Sequence, residues 1–131
     1  MLQAGGFIDG AATLAQFNRP RDLVLSADGN FLFVADEKNT AVRSVRLSDG
    51  SVSTFKYVPI EPRTISLTEN GYILLDGFDG VIGGSVAQSF ELVVVNVDTL
   101  AVTEVTSFKG LFGMHGKIVP QEDRVMLARN W

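Results

Sequence analysis

The sequence contains no cysteine, which excludes disulfide bonds and thiolate metal sites. It also lacks any run of about 18 apolar residues, so it predicts no transmembrane helix. Basic residues are few and scattered: eleven Lys and Arg stand against fifteen Asp and Glu, which gives a net charge of −4. Because affinity for nucleic acid depends on clustered basic side chains, this balance argues against a nucleic-acid partner, RNA included.

Motifs of common catalytic and metal sites are missing as well. There is no P-loop, no G-x-S-x-G elbow and no H-E-x-x-H pair. The single histidine, His115, has no visible partner ligands, which favours a structural role over a catalytic or metal role. The segment DGFDG at 76–80 has carboxylates that suit calcium, but it lacks the ligand spacing of an EF-hand and is typical of plain turns. The sequence therefore predicts no catalytic residue, no metal and no cofactor.

A repeat is the most informative feature that is present. The segment PRDLVLSADG at 20–29 returns as PRTISLTENG at 62–71, and a fainter copy begins at His115. Repeats of about 40–50 residues that carry only short strands and turns are typical of β-propeller blades. With 46% hydrophobic residues, the chain is predicted to fold into all-β blades of four antiparallel strands, as an incomplete propeller.

The apolar patterns place the strands. We expect strands in blade one (about 17–57) near 23–26, 31–35, 41–47 and 51–56, and in blade two (about 58–108) near 64–67, 72–75, 90–97 and 101–106. A half blade (about 109–131) follows, with strands at 117–119 and 125–128. No helix of more than two turns is expected between residues 23 and 105.

The two full copies differ in the length of one loop. Six residues separate Asp36 from Arg43, whereas sixteen separate the matching Asp76 from Val93, and the additional residues fall in 77–89. Since strands alternate in direction, this loop and the segment 5–16 are predicted to emerge on the same face. Loops on a rigid scaffold commonly carry binding. The candidate binding residues on this face are Phe7, Asp9, Phe78, Asp79 and His115.

The first copy resembles an NHL repeat. The segments GFIDG at 6–10 and AQFNRP at 15–20 are similar to the linker between blades of that family, and DG at 28–29, LFVAD at 32–36, Asn39 and VR at 42–43 are similar to its core. The second copy keeps Pro62, NG at 70–71 and Asp76 but has lost the Asn and Arg positions. The resemblance implies that Asp36, Asn39 and Asp76 are structural, because a short carboxylate that ends a strand accepts backbone N–H bonds.

The resemblance also implies a function and a setting. We expect a non-catalytic binding module, part of a six-bladed NHL-type ring, that presents one loop-rich face to a protein or glycan. The alternative is a fragment of a propeller enzyme, a lyase or lactonase, with a metal in the central channel. Because propellers close with about 4–8 blades, we expect an excerpt of a longer chain, which contacts neighbouring blades or further copies of itself. The family favours an extracellular or cell-surface location.

Overall fold

The computed structural model describes residues 5–78, 89–109, 116–121 and 124–129, with side chains for 5–78 and 91–103. Asp79, His115 and most of the loop 77–89 lie outside these residues. Ten strands are found: β1 (Pro20–Leu25), β2 (Phe31–Asp36), β3 (Ala41–Arg46), β4 (Val52–Tyr57), β5 (Glu61–Leu67), β6 (Tyr72–Phe78), β7 (Ser89–Asn96), β8 (Val102–Lys109), β9 (Gly116–Gln121) and β10 (Arg124–Arg129).

The strands form antiparallel sheets in chain order. β1 to β4 make a first four-stranded sheet, β5 to β8 a second, and β9 pairs with β10. Every predicted strand is confirmed, with ends that differ by a few residues. The only helical element in the described residues is a single 3₁₀ turn, Glu37–Asn39, and the described residues do not form a closed ring. None of their helical segments has the length and apolar character needed to cross a membrane.

The two copies of the repeat share the hydrogen bonds of a turn as well as the order of their strands. In the turn after β1 the hydroxyl of Ser26 donates to Asp28 at 2.7 Å, and in the turn after β5 the hydroxyl of Thr68 donates to Asn70 at 2.6 Å. Each hydroxyl also accepts the N–H that opens the next strand, at 3.0 and 2.9 Å. The first turn is one residue longer, because Asn30 has no counterpart in the second. These short polar side chains fix where each hairpin reverses.

The irregularities of the strands define which positions of the two sheets correspond. The pairing of β1 with β2 shifts just after the pair Pro20 and Asp36, and the pairing of β5 with β6 shifts just after Pro62 and Gly77. Gly77 therefore occupies the position of Asp36. The prediction that Asp76 matches Asp36 is wrong by one residue, because the additional residue in the first turn displaces β2 relative to β6.

The same comparison holds for the third and fourth strands. The pairing of β3 with β4 shifts between Val42 and Arg43, and that of β7 with β8 shifts between Leu92 and Val93. Val93 thus occupies the position of Arg43, as the sequence comparison assumed.

The two full sheets pack face to face over a shared apolar core. The fully buried side chains of this core come from both sheets and from the connection between them: Ala35, Val42, Ile60, Ile65, Ile73, Leu75, Val93 and Val95. β5 lies against β1 and β2, and β9 lies in turn against β5 and β6. The same packing of one sheet on the next therefore occurs twice, between the first and second sheets and between the second sheet and the β9–β10 pair.

The segment 5–18 lies on the opposite face of the first sheet. Gly10 exchanges two backbone hydrogen bonds with Val52 of β4, at 2.9 and 2.8 Å. Ile8 and Gln16 exchange another pair, at 3.3 and 2.9 Å, which folds the segment back on itself. One face of the first sheet is thus covered by a sheet and the other, in part, by this segment.

Candidate functional site

Arg43 is the centre of the contacts that hold the segment 5–18. It is fully buried on β3, and its guanidinium donates to Asp36 and Asp9, both at 2.8 Å. It also donates to the carbonyl oxygens of Gln16 at 2.9 Å and Ile8 at 3.0 Å. A buried guanidinium is tolerated only when charge and hydrogen-bond partners compensate for lost water, and here two carboxylates and two carbonyls do so.

Aromatic rings close the two sides of this guanidinium. Its central carbon lies 4.6 Å from the ring centre of Phe7 and 4.8 Å from that of Phe17. Phe7 also meets Tyr57 edge to face, with ring centres 5.7 Å apart. Cation–π contacts of this kind suit arginine because its planar group stacks on ring faces. Phe7, a predicted binding residue, is therefore a packing partner of Arg43 with its outer edge exposed.

Asp9, the second predicted binding residue, joins the segment to two strands. Besides Arg43 on β3, it accepts the backbone N–H of Thr54 on β4 at 3.1 Å and the Thr54 hydroxyl at 3.0 Å. Burial raises the pKa of Asp9, but the hydrogen bonds from Arg43 and Thr54 outweigh it, and the pKa lies below the ordinary value. Asp9 is therefore a charged anchor, and its role in binding a partner stays a prediction.

The predicted structural role of Asp36 and Asn39 is confirmed. Asp36 ends β2, is fully buried, and accepts the backbone N–H of Asn18 at 2.8 Å. The Asn39 amide donates to Asp36 at 2.8 Å and to the carbonyl of Gly6 at 2.9 Å. The Asp, Asn and Arg of the NHL-like motif thus act together in attaching the segment 5–18 to the first sheet.

The strands β1, β3 and β5 begin, and β2, β4 and β6 end, at the same end of the sheets, which we call the entry end. A second group of charges lies there. The carboxylate of Glu37, in the 3₁₀ turn after β2, is almost fully buried. Arg19, Arg21 and Arg63 surround it, with Nε to carboxylate oxygen distances of 3.6, 3.8 and 3.7 Å. We call these four residues the arginine cluster.

Backbone contacts fix the cluster on both sides. Glu37 N–H donates to the carbonyl of Arg19 at 3.3 Å, and Lys38 N–H donates to that of Asn18 at 3.0 Å. Arg19 has a φ of 58°, a left-handed conformation that an arginine adopts only at a cost of about 1–2 kcal/mol. Strained backbone of this kind persists where surrounding contacts enforce it and is concentrated at functional positions.

Phe78, the third predicted binding residue that the structure describes, belongs to this second group. The central carbon of Arg63 lies 5.6 Å from the centre of the Phe78 ring at the end of β6. Lys38 and Glu61 form an ion pair at 3.0 Å on the same end. Phe7 and Asp9 are therefore brought together around Arg43, and Phe78 joins the arginine cluster.

The sequence analysis missed the arginine cluster, although one signal for it was present. Arg21 and Arg63 follow the proline of each repeat, so the same position supplies an arginine twice. Glu37 and Arg19 had no such signal, because only the tertiary fold brings them to that position. Among the described residues, no three His, Cys, Asp or Glu side chains are grouped so that they could hold a metal ion.

Compared with models of known protein families, the chain matches none, and no curated protein sequence matches it. The contacts described above are therefore the grounds for a functional proposal.

Proposed function

We propose that the chain is part of an NHL-type β-propeller and serves as a non-catalytic binding module for a protein partner. Its sheets stack face to face, and the entry end is the surface presented to the partner. The support comes from three observations: the repeated packing of one sheet on the next, the apolar part of the first sheet's outer face that the segment 5–18 leaves uncovered, and the arginine cluster at the entry end.

The main support for the proposal is the uncovered apolar part of the outer face of the first sheet. Leu23, Leu25 and Leu47 are 54%, 50% and 48% exposed on the face of the first sheet that points away from the second. The matching residues of the second sheet are Ile65, Leu67 and Val97, which pack in the core against the first sheet, and Ile65 is fully buried. The same positions are thus covered by a neighbouring sheet in one copy and open in the other.

A neighbouring sheet of the same type is the occupant that this comparison favours for the exposed leucines. Apolar side chains at three matched positions favour burial, by about 25 cal/mol for each Å² removed from water. Stacked sheets that each cover the next are the architecture of propellers and other repeat proteins. The neighbour is a further sheet of a longer chain or, for these 131 residues alone, a second copy.

The proposed partner surface is the entry end. It carries the end of β6 and the start of β7, the chain ends of the loop 77–89, together with Phe7, Phe78 and the arginine cluster. The opposite end carries short turns whose polar side chains are engaged in their own hydrogen bonds. Binding at the entry end is therefore the better supported assignment. The enzyme alternative has no supporting observation in the described residues.

Self-association of the chain tests the stacking. We expect light scattering to show a mass that rises with protein concentration, and the double variant Leu23→Ser, Leu25→Ser to shift that rise to at least tenfold higher concentration. The control is Leu100→Ser, which removes an exposed leucine from a turn of the second sheet. A wild-type chain that stays monomeric at every concentration, or an equal effect of the control, would contradict the proposal.

A further inference from the structure

The arginine cluster is a local concentration of positive charge on an acidic protein. Three guanidinium groups face one carboxylate, whereas the whole chain has a net charge of −4. The adjacent Lys38 and Glu61 neutralise each other at 3.0 Å. The cluster therefore has two positive charges in excess, which attract anions to the entry end.

The three guanidinium groups have unused donors. Their distances to Glu37 of 3.6–3.8 Å are ionic contacts, longer than the 2.8 Å hydrogen bonds that Arg43 makes with its carboxylates. Within the part of the chain that the structure describes, none of the three donates a hydrogen bond to the protein. Each guanidinium carries five N–H donors in a planar fork that matches a carboxylate. Both terminal nitrogens of Arg43 thus donate to protein oxygens, and those of the cluster do not.

The open side of the cluster faces solvent. The Glu37 side chain is 8% exposed, while those of Arg63, Arg21 and Arg19 are 23%, 32% and 60% exposed. A second carboxylate approaching from solvent therefore meets the arginines before it meets Glu37. Small free ligands are usually enclosed over most of their surface, so this open arrangement suits a side chain carried by a polypeptide.

From these observations we infer that the arginine cluster binds an acidic segment of a protein partner, through paired Asp or Glu side chains. The inference rests on the proposed binding function and names the chemistry of its partner. Arg21 and Arg63 are supplied by β1 and β5, and their Nε atoms lie 3.8 and 3.7 Å from the same oxygen of Glu37. Alternate side chains of an extended peptide are about 7 Å apart, so carboxylates two residues apart match the two forks.

The probe is a capped heptapeptide with glutamate at alternate positions between glycines, titrated against the full chain and followed by fluorescence anisotropy. We expect binding that the double variant Arg21→Gln, Arg63→Gln weakens about tenfold, since it removes two of the guanidinium groups that hold the carboxylates of the peptide. The control is Arg46→Gln, which removes one arginine charge from an exposed pair with Asp49 on the opposite end. It is expected to leave the affinity unchanged.

A second variant keeps the test decisive if the arginine variant is unstable. Glu37→Gln removes the internal carboxylate that competes for the three forks, and we expect it to strengthen peptide binding about threefold. A cluster that only stabilises the fold would lower the stability of both variants without this gain. Unchanged or weaker peptide binding by the folded Glu37→Gln variant would therefore overturn the inference.

Two further arms separate the sources of the anion. Inorganic phosphate and free glutarate, each at the peptide's half-saturating concentration, are expected to displace little of it. Displacement as strong as by the peptide itself would assign the cluster to small anions and overturn the partner assignment, as would equal weakening by Arg46→Gln. The double variant Leu23→Ser, Leu25→Ser, which tests the stacking, is expected to bind the peptide normally. Failure of peptide binding with intact self-association would refute this inference alone.

Discussion

The two sheets of this chain have matching strands and turns, yet the corresponding faces of the two sheets are covered by different parts of the molecule. In the first sheet the face turned away from the second carries Asp36 and Arg43, both fully buried beneath the segment 5–18. In the second sheet the corresponding positions are Gly77, which is buried, and Val93, which packs in the core shared with the first sheet. A face covered by another sheet can be held by apolar packing alone. A face covered by a thin irregular segment needs directional hydrogen bonds, since Phe7, Ile8 and Leu14 of that segment stay partly exposed.

Gly77 is required by the close approach of two strands within the second sheet. A Cβ atom built there would collide with the backbone carbonyl of Glu61 on the neighbouring β5. Asp36, at the same position of the first sheet, carries a carboxylate that accepts the backbone N–H of Asn18 from the segment 5–18. The two copies therefore differ in the approach of their own strands as well as in what covers each face.

The largest expected effect comes from removing the buried ion pair between Arg43 and Asp36 in the first sheet. Arg43→Met leaves Asp36 buried without its charge partner, and we expect the free energy of unfolding to fall by about 3–5 kcal/mol. Chemical denaturation followed by circular dichroism measures it. The control Arg46→Met removes an exposed arginine of the same strand and is expected to change stability by less than about 0.5 kcal/mol.

The residues of the second sheet supply a check on this result. Replacing both partners, with Asp36→Gly and Arg43→Val, is expected to cost less than the sum of the two single changes, because no buried charge remains unpaired. Recovery is incomplete, since the carbonyls of Gln16 and Ile8 still lose a donor. Additive losses would show that the pair does not act as a unit.

The smallest expected effect is that the attachment of the segment 5–18 to the first sheet depends on pH through Asp9. The folded-state pKa of Asp9 lies below its ordinary value of 3.8, so its contribution is complete well above that value and is lost as the pH falls through the lower folded pKa. We expect the amide of Ile8, bonded to Gln16, to lose protection in acid, measured by NMR as its exchange rate relative to the intrinsic rate at each pH. In Asp9→Asn this acid dependence should be absent, and its persistence would assign it to another group.

The strands of this chain were predictable, whereas the registration of the two copies was not. Apolar runs such as 31–35 and turn pairs such as Asp49 and Gly50 mark strands and hairpins locally. The error at Asp76 arose because Asn30 adds one residue to the first turn. A shift of one residue moves a strand's side chains to the opposite face, so Asp76 takes the position of Ala35 instead of that of Asp36.

The candidate site shows the same division between local and tertiary information. The NHL-like spacing was sufficient to predict the structural roles of Asp36 and Asn39. It gave no indication that Phe7 and Asp9 contact Arg43, because those contacts span more than 30 positions of the chain. The arginine cluster likewise depends on the step from the first sheet to the second, which brings Arg63 to Glu37.

The central claim is that a neighbouring sheet covers the outer face of the first sheet. The most direct test is whether position 25 loses its exposure to solvent when the chain associates. Because the chain has no cysteine, Leu25→Cys introduces a unique thiol on that face, and Leu100→Cys introduces one on a turn of the second sheet. The measurement is the rate of maleimide labelling over a range of protein concentrations. We predict that the thiol introduced at position 25 becomes protected as concentration rises, while the thiol at position 100 stays reactive. Equal labelling rates at both positions at every concentration would contradict the account.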